Sequence, residues 1–203
     1  MNISQLELYE KHRSRFEAYA SLLLKWNQKI NLTAITKPEE IKELHFLDSL
    51  SVVSKIVSRG TLLDIGPGAG FPGIPIKIVC PDLQVTLVDS VKKKCDFMKA
   101  VIRELRLDRI EVIQKTTTEK DPIGHFDVVV SRAAFKYSRL IQLALPNLAP
   151  GGVIIGMKGA DVREEVYDSG PILKQYHLTP IKLINYSLTV SGQTRTLLMT
   201  GPG

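Results

Sequence analysis

The 203-residue chain is predicted to be an α/β protein with a mostly parallel sheet of seven strands. Three observations predict this. From residue 61 onward, short apolar runs of strand length alternate with amphipathic runs of helix length, the pattern of a parallel sheet covered on both faces. Glycines crowd the end of the first apolar run. The last two runs flank Ser191-Gly192 and read as an antiparallel hairpin.

The elements follow in order. Phe16, Tyr19, Leu23, Trp26 and Ile30 recur at intervals of three and four, so the first thirty residues are expected to be helical. Asn31-Leu32-Thr33 interrupts. Thr36-Lys37-Pro38-Glu39-Glu40 has the proline and acids of a helix start, and a second helix is expected to run to about Val57. The two helices form a helical cap over residues 1–58, and residues 59–203 form the sheet domain. Thr61–Ile65 is the first strand, followed by a glycine turn and a helix ending near Cys80. Gln84–Asp89 is the second strand. Ser90 is placed to cap a helix over Val91–Arg106, whose Phe97, Met98, Val101, Ile102 and Leu105 make an apolar face. Ile110–Gln114 and Phe126–Ser131 are the third and fourth strands. A helix over Ser138–Leu148, a turn at Pro150-Gly151-Gly152, a strand over Val153–Lys158 and a helix over Asp161–Gln175 follow. Ile181–Val190 and Gln193–Thr200 make the hairpin.

Composition narrows the class. Apolar residues are 44% and charged residues 24% of the chain, ordinary for a soluble globular protein. No apolar run approaches the roughly 20 residues of a membrane span, and Met1–Lys11 lacks the features of a secretory signal, so a cytoplasmic protein without membrane contact is expected. Cys80 and Cys95 make neither a disulfide framework nor a metal spacing, so no metal is expected. The net charge of +6 favours a polyanionic partner. No broad exposed apolar stripe forces a dimer, so a monomer is expected.

The chemistry is concentrated in Thr61–Gly73, TLLDIGPGAGFPG. A strand, a glycine turn and a helix start form a site where backbone can approach an anionic or carboxylate-bearing ligand. Gly68, Gly70 and Gly73 fit the dinucleotide spacing G-x-G-x-x-G, with Asp89 about 20 residues on. Read from Asp64, the pattern is D-x-G-x-G-x-G through Gly66, Gly68 and Gly70, which resembles the S-adenosylmethionine loop of Rossmann-like methyltransferases. A nicotinamide-dependent oxidoreductase, a small-molecule methyltransferase and a non-catalytic binding module are the alternatives. The glycine phase and the hairpin weigh against the first. The basic charge and the short cap weigh against the second, and the presence of Arg132, Asp64 and Asp89 against the third.

Segments along nearly the whole chain then align: Asn31-Leu32-Thr33, His45-Phe46-Leu47-Asp48-Ser49, Asp64 to Gly73, Leu87-Val88-Asp89-Ser90, Ser131-Arg132-Ala133 and Met157-Lys158-Gly159. Together they resemble the bacterial ribosomal RNA small subunit methyltransferase G family, also called glucose-inhibited division protein B. That resemblance implies a Rossmann-like fold, S-adenosylmethionine as cofactor, 16S ribosomal RNA in the small subunit as partner, and methylation of N7 of a guanine, guanine 527. It assigns Asp64, Gly66, Gly68, Gly70, Phe71, Asp89, Thr117, Thr118 and Arg132 to the cofactor. It assigns Asn31, His45, Asp48 and Lys158 to the substrate-facing rim, with Arg132 at the reaction centre and Asp64 and Lys158 beside it. The resemblance places Thr117 and Thr118 beside the adenine, although Pro67 and Lys115-Thr116-Thr117-Thr118 depart from the family pattern.

Guanine N7 carries a lone pair and no proton, so its attack on a sulfonium methyl needs no general base; alignment is the main requirement. Asp64 can stabilise a positive centre or merely accept loop N–H groups. Arg132 is read either as a contact to the cofactor carboxylate, a phosphate or O6, but not to N7, whose lone pair must react, or as a structural ion pair under the sheet. His45 and Asp48, three apart, are read either as a polar patch over the cofactor mouth or as a pair orienting the cap. Lys92, Lys93 and Lys94 are read either as a phosphate-contacting edge or as a solvated face.

Overall fold

The computed structural model describes residues 4–56 and 60–203. Val57 and the boundary between residues 58 and 59 lie outside the described residues, but the second helix ends earlier than expected, at Leu50, followed by a 3-10 turn over Val53–Lys55 and an extended Ile56. Seven strands form one sheet in the order β3-β2-β1-β4-β5-β7-β6. They are β1 (Thr61–Ile65), β2 (Gln84–Asp89), β3 (Ile110–Gln114), β4 (Phe126–Arg132), β5 (Leu148–Lys158), β6 (Lys182–Ser187) and β7 (Thr194–Thr200). The first five pair in parallel, and β7 lies antiparallel between β5 and β6. β1, β2 and β4 are near-continuous apolar runs because both of their faces are covered. Strand order reverses between β1 and β4, which places the ligand crevice at their carboxyl ends.

One face carries α5 (Gly73–Val79) and α6 (Lys92–Glu104), the other α7 (Tyr137–Ala144) and α8 (Arg163–Gln175). The cap consists of α1 (Gln5–Lys11), α2 (Arg13–Asn27), α3 (Pro38–Glu40), a π-helix (Ile41–Leu47) and α4 (Asp48–Leu50). Phe16, Tyr19, Leu23, Phe46 and Leu47 of the cap share one buried cluster with Phe71, Ile74, Phe97 and Met98. Tyr137, Leu140, Ile141 and Ile172 form the core on the opposite face.

Several local expectations are corrected. The first helix breaks at His12, which ends α1 and precedes α2. Ser90 does not cap α6. Its cap residue is Val91, which has no capping side chain, and the Val91 N–H instead donates to Asp89 Oδ1 at 2.8 Å. Pro150-Gly151-Gly152 falls inside β5, which starts at Leu148 beside an irregularity in its pairing with β4. The sixth strand ends at Ser187, since Leu188–Gln193 folds into the hairpin loop.

Candidate active site

The loop after β1 turns through Gly66, Gly68 and Gly70, all with positive φ (71°, 62° and 91°). The cap grips this loop: Tyr19 Oη donates to the Ala69 carbonyl. The Phe71 ring lies between Tyr19 and His45, stacked at 5.4 Å and 4.4 Å. Phe71 is buried, so the structure makes it the packing link between loop and cap.

The two acids close neighbouring strands. Asp64, fully buried in β1, accepts from Gly73 N–H through Oδ2 at 2.7 Å, while Oδ1 has no partner. Burial pushes its carboxyl well above the ordinary range, against the Gly73 N–H that favours the anion. Asp89, at the end of β2, accepts from Gly68 N–H through Oδ2 at 3.1 Å and from Val91 N–H through Oδ1. Each oxygen keeps a second lone pair.

Arg132, at the end of β4, joins the sheet to the cap. Nη1 donates to the Leu44 carbonyl at 2.8 Å and to Asp48 Oδ2 at 3.1 Å; Nη2 lies 3.1 Å from His45 Nδ1. Its guanidinium sits 4.9 Å above the Phe71 ring. Burial, and after it the neighbouring Arg132 cation, pull the His45 imidazole down to about 3. The ring is therefore neutral, Nδ1 accepts from Arg132, and Nε2–H donates to Thr33 Oγ1 at 2.9 Å. Asp48 Oδ1 accepts from Tyr186 Oη at 2.7 Å, with Arg195 Nε 3.9 Å away. Glu43 of the π-helix accepts from the Val190 and Ser191 N–H groups, so the cap also holds the hairpin loop. π-Turns recur at functional sites. Here the segment brings both His45 and Asp48 onto Arg132 rather than onto each other.

An open cleft of about 750 Å³ lies over the carboxyl ends of β4 and β5. Its walls include His45, Asp48, Arg132, Phe135, Lys158 and Arg195. The glycine loop does not line it; Arg132 stands between the two. Lys158 Nζ donates to the Phe135 carbonyl and to Glu165 Oε1 at 2.8 Å, so this amine is engaged by protein. Asn31 is exposed on the cap, with Leu32 and Thr33 N–H donating to Asn27 Oδ1. Thr117 and Thr118 follow β3, at the same edge of the sheet as Asp89. Lys92, Lys93 and Lys94 form the first turn of α6, where Lys92 pairs with Asp96 at 2.8 Å. Tyr186, Arg195, Glu165 and Glu43 escape sequence reasoning, since only the fold brings the hairpin and α8 to this edge.

A seven-stranded sheet of this order, with a glycine turn after β1 and an acid closing β2, defines an S-adenosylmethionine-dependent methyltransferase of the Rossmann-like class. Solved structures of that class share the fold. An O-methyltransferase from Bacillus cereus in complex with SAH matches with a TM-score of 0.60 at 20% identity over 90% of each chain. A ribosomal protein L11 methylase from Lactobacillus delbrueckii subsp. bulgaricus matches with a TM-score of 0.60 at 16% identity, over 77% of this chain and 78% of that one. The model of the family described as rRNA small subunit methyltransferase G matches residues 12–179. Proteins named ribosomal RNA small subunit methyltransferase G are 42% identical in Desulfitobacterium hafniense, over 89% of this chain and 77% of the relative, and 40% identical in Geobacter metallireducens, over 97% and 90%. The chain belongs to the rRNA small subunit methyltransferase G family.

The site fits its cofactor. Asp64 Oδ1 is a buried acceptor without a donor, suited to an ammonium. A methyl built at Gly68 would meet no heavy atom within 4 Å, so ligand can approach that backbone. Asp89 offers the remaining acceptor capacity for ribose hydroxyls.

Proposed function

We propose that the protein transfers a methyl group from S-adenosylmethionine to N7 of a guanine in 16S ribosomal RNA, guanine 527 by the family pattern. It acts in the cytoplasm as a monomer on the small ribosomal subunit. The observation that carries this reading is the position of Arg132, between the acid-flanked glycine loop and a cleft whose cations include Lys136, Lys158 and Arg195.

Bound S-adenosylmethionine supplies an electrophilic methyl on a sulfonium. The chain's residues hold, orient and shield. Asp64 and Asp89 fix the two polar ends of the cofactor from neighbouring strands. Burial favours the neutral Asp64 carboxyl in the free protein, and a cation bound beside it favours the anion, so its negative charge accompanies the bound positive centre. Arg132 has three of its five N–H donors engaged by Leu44, Asp48 and His45. Nε and one hydrogen on Nη2 remain for O6 or a carboxylate, and N7 keeps its lone pair. Neutral His45 accepts from Arg132 and takes no proton from the purine. Lys93 and Lys94, which have no carboxylate within 4.0 Å among the described residues, form a phosphate-contacting edge.

The test is to incubate the protein with labelled S-adenosylmethionine and 30S subunits from a strain lacking it, and to map the labelled base. Label on guanine N7 of 16S RNA is expected. Label elsewhere, or calorimetric preference for NAD over S-adenosylmethionine, sinks the reading. Replacing Lys92, Lys93 and Lys94 together should flatten the salt dependence of RNA binding; an unchanged slope removes them from the interface.

A further inference from the structure

We propose that Phe135 is the platform on which the target guanine stacks, and that Lys158 is the positioning residue that holds this platform. The proposal deepens the guanine-methylating reading above and rests on it. An enzyme acting on a base extrudes it into a pocket and holds it against flat faces. Single-stranded RNA bases are commonly held on aromatic rings.

The cleft offers three rings, those of His45, Phe135 and Tyr186. His45 has one face covered by Phe71 and both nitrogens engaged. Tyr186 is held through its hydroxyl by Asp48. Phe135 is partly exposed and pairs with no aromatic ring among the described residues. Its ring carbons Cε2 and Cζ lie 3.3 Å and 3.6 Å from where a side chain on Gly66 would begin. The phenyl edge therefore rests on the cofactor loop while the ring walls the cleft beside Arg132. A purine stacked there lies next to the methyl donor's loop.

The segment carrying the ring is fixed from several sides. Ala133 takes φ +54° and donates its N–H to the Met157 carbonyl at 3.3 Å. Lys136 pairs with Glu164 at 2.9 Å and Asp168 at 3.1 Å. Glu165 accepts from the Tyr137 N–H through Oε2 and from Lys158 through Oε1, and Lys158 in turn donates to the Phe135 carbonyl. Lys158 thus acts through the backbone of Phe135. It is a positioning residue, not the reaction-centre cation that the family resemblance implies.

The experiment is steady-state methyl transfer to 30S subunits lacking the methyl group, with S-adenosylmethionine affinity measured by calorimetry on each variant. Phe135→Leu keeps apolar bulk and removes the π face. It should lower kcat/KM for the subunit roughly 10- to 100-fold and leave cofactor affinity within about twofold. Phe135→Tyr should restore kcat/KM to within about threefold of wild type. Lys158→Met should lower kcat/KM in the wild-type background, yet change the Phe135→Leu enzyme by less than about twofold, because displacing an absent platform costs nothing further. A Phe135→Leu enzyme with wild-type kcat/KM overturns the proposal. So does a loss of cofactor affinity in step with activity, which would make Phe135 a wall of the cofactor loop. Multiplicative losses in the double variant overturn the role given to Lys158. Wild-type protein that leaves 16S guanine unlabelled in the same assay overturns the functional reading itself.

Discussion

Arg132 Nη1 lies 3.1 Å from Asp48 Oδ2, an ion pair spanning 84 residues and largely withdrawn from water, with side chains 16% and 8% exposed. The pair fastens the cap to the carboxyl end of β4. Removing one partner of a buried pair leaves the other charge uncompensated. Asp48→Ala should therefore destabilise the protein by about 3 kcal/mol, measured by urea unfolding, and release Arg132 toward the cleft with a loss of methyl transfer. Tyr186→Phe, which removes only one donor to Asp48, should cost about 1 kcal/mol. Equal losses in the two variants would show that the charge pair contributes nothing beyond its hydrogen bonds.

His45 gives a pH signature. Its ordinary value is 6.5, and the fold lowers it to about 3. Between these values the unfolded chain binds a proton that the folded chain refuses, so stability falls as pH drops through that window and is fully present above it. Over pH 4.5–6 the wild-type stability slope should exceed that of His45→Gln by about one proton, or about 1.4 kcal/mol per pH unit. Parallel slopes would mean that His45 titrates normally in the fold. In the same window the folded imidazole stays neutral beside Arg132, so activity per folded molecule should hold steady while stability falls.

Asp64 works in the opposite sense. Burial raises its carboxyl above the ordinary 3.8, so the folded protein holds a proton that the unfolded chain has lost. Its contribution to stability therefore declines as pH rises from 3.8 toward the raised value. Asp64→Asn keeps an acceptor for the Gly73 N–H and removes the buried charge. At pH 8 the cofactor-free variant should melt at a higher temperature than wild type, while S-adenosylmethionine affinity falls about tenfold or more. A variant that binds the cofactor as wild type does would reduce Asp64 to a fastener of the loop.

The sheet and the glycine turn between its two strand-end acids are legible in the sequence because their signals are local. β1, β2 and β3 match their expected bounds, since a central parallel strand is a short apolar run whatever lies around it. Asp64, the loop glycines and Asp89 follow from strand ends and turn chemistry. The cap–sheet network is not legible in the same way. A π-turn carries no sequence signature that separates it from an ordinary helix, and Arg132, Asp48 and Tyr186 meet only through tertiary packing. Lys77 is a similar case. It is buried, with Nζ donating to the Pro81 and Leu83 carbonyls at 2.6 Å and 2.7 Å. The carbonyls of the turn between α5 and β2 attract the cation that the preceding helix delivers.

Gly68 and Gly70 separate folding from binding within one loop. Both have positive φ, so a side chain at either position carries a backbone cost of about 1–2 kcal/mol. At Gly70 a Cβ would also stand 2.5 Å from both Ile74 Cδ1 and Tyr19 Oη, in the joint between loop and cap. At Gly68 it would meet no heavy atom within 4 Å. Gly70→Ala should therefore lose about 3 kcal/mol or more, overpacking being added to strain, and fold poorly at 37 °C. Gly68→Ala should lose only about 1–2 kcal/mol and give a folded protein. Its methyl would occupy the space through which a cofactor reaches the loop backbone, so S-adenosylmethionine affinity should fall far more than stability. Thermal unfolding and calorimetry on the two variants decide the matter. If Gly68→Ala binds the cofactor as wild type does, the open side of the loop faces solvent rather than ligand, and the cofactor must approach from the cleft side past Arg132.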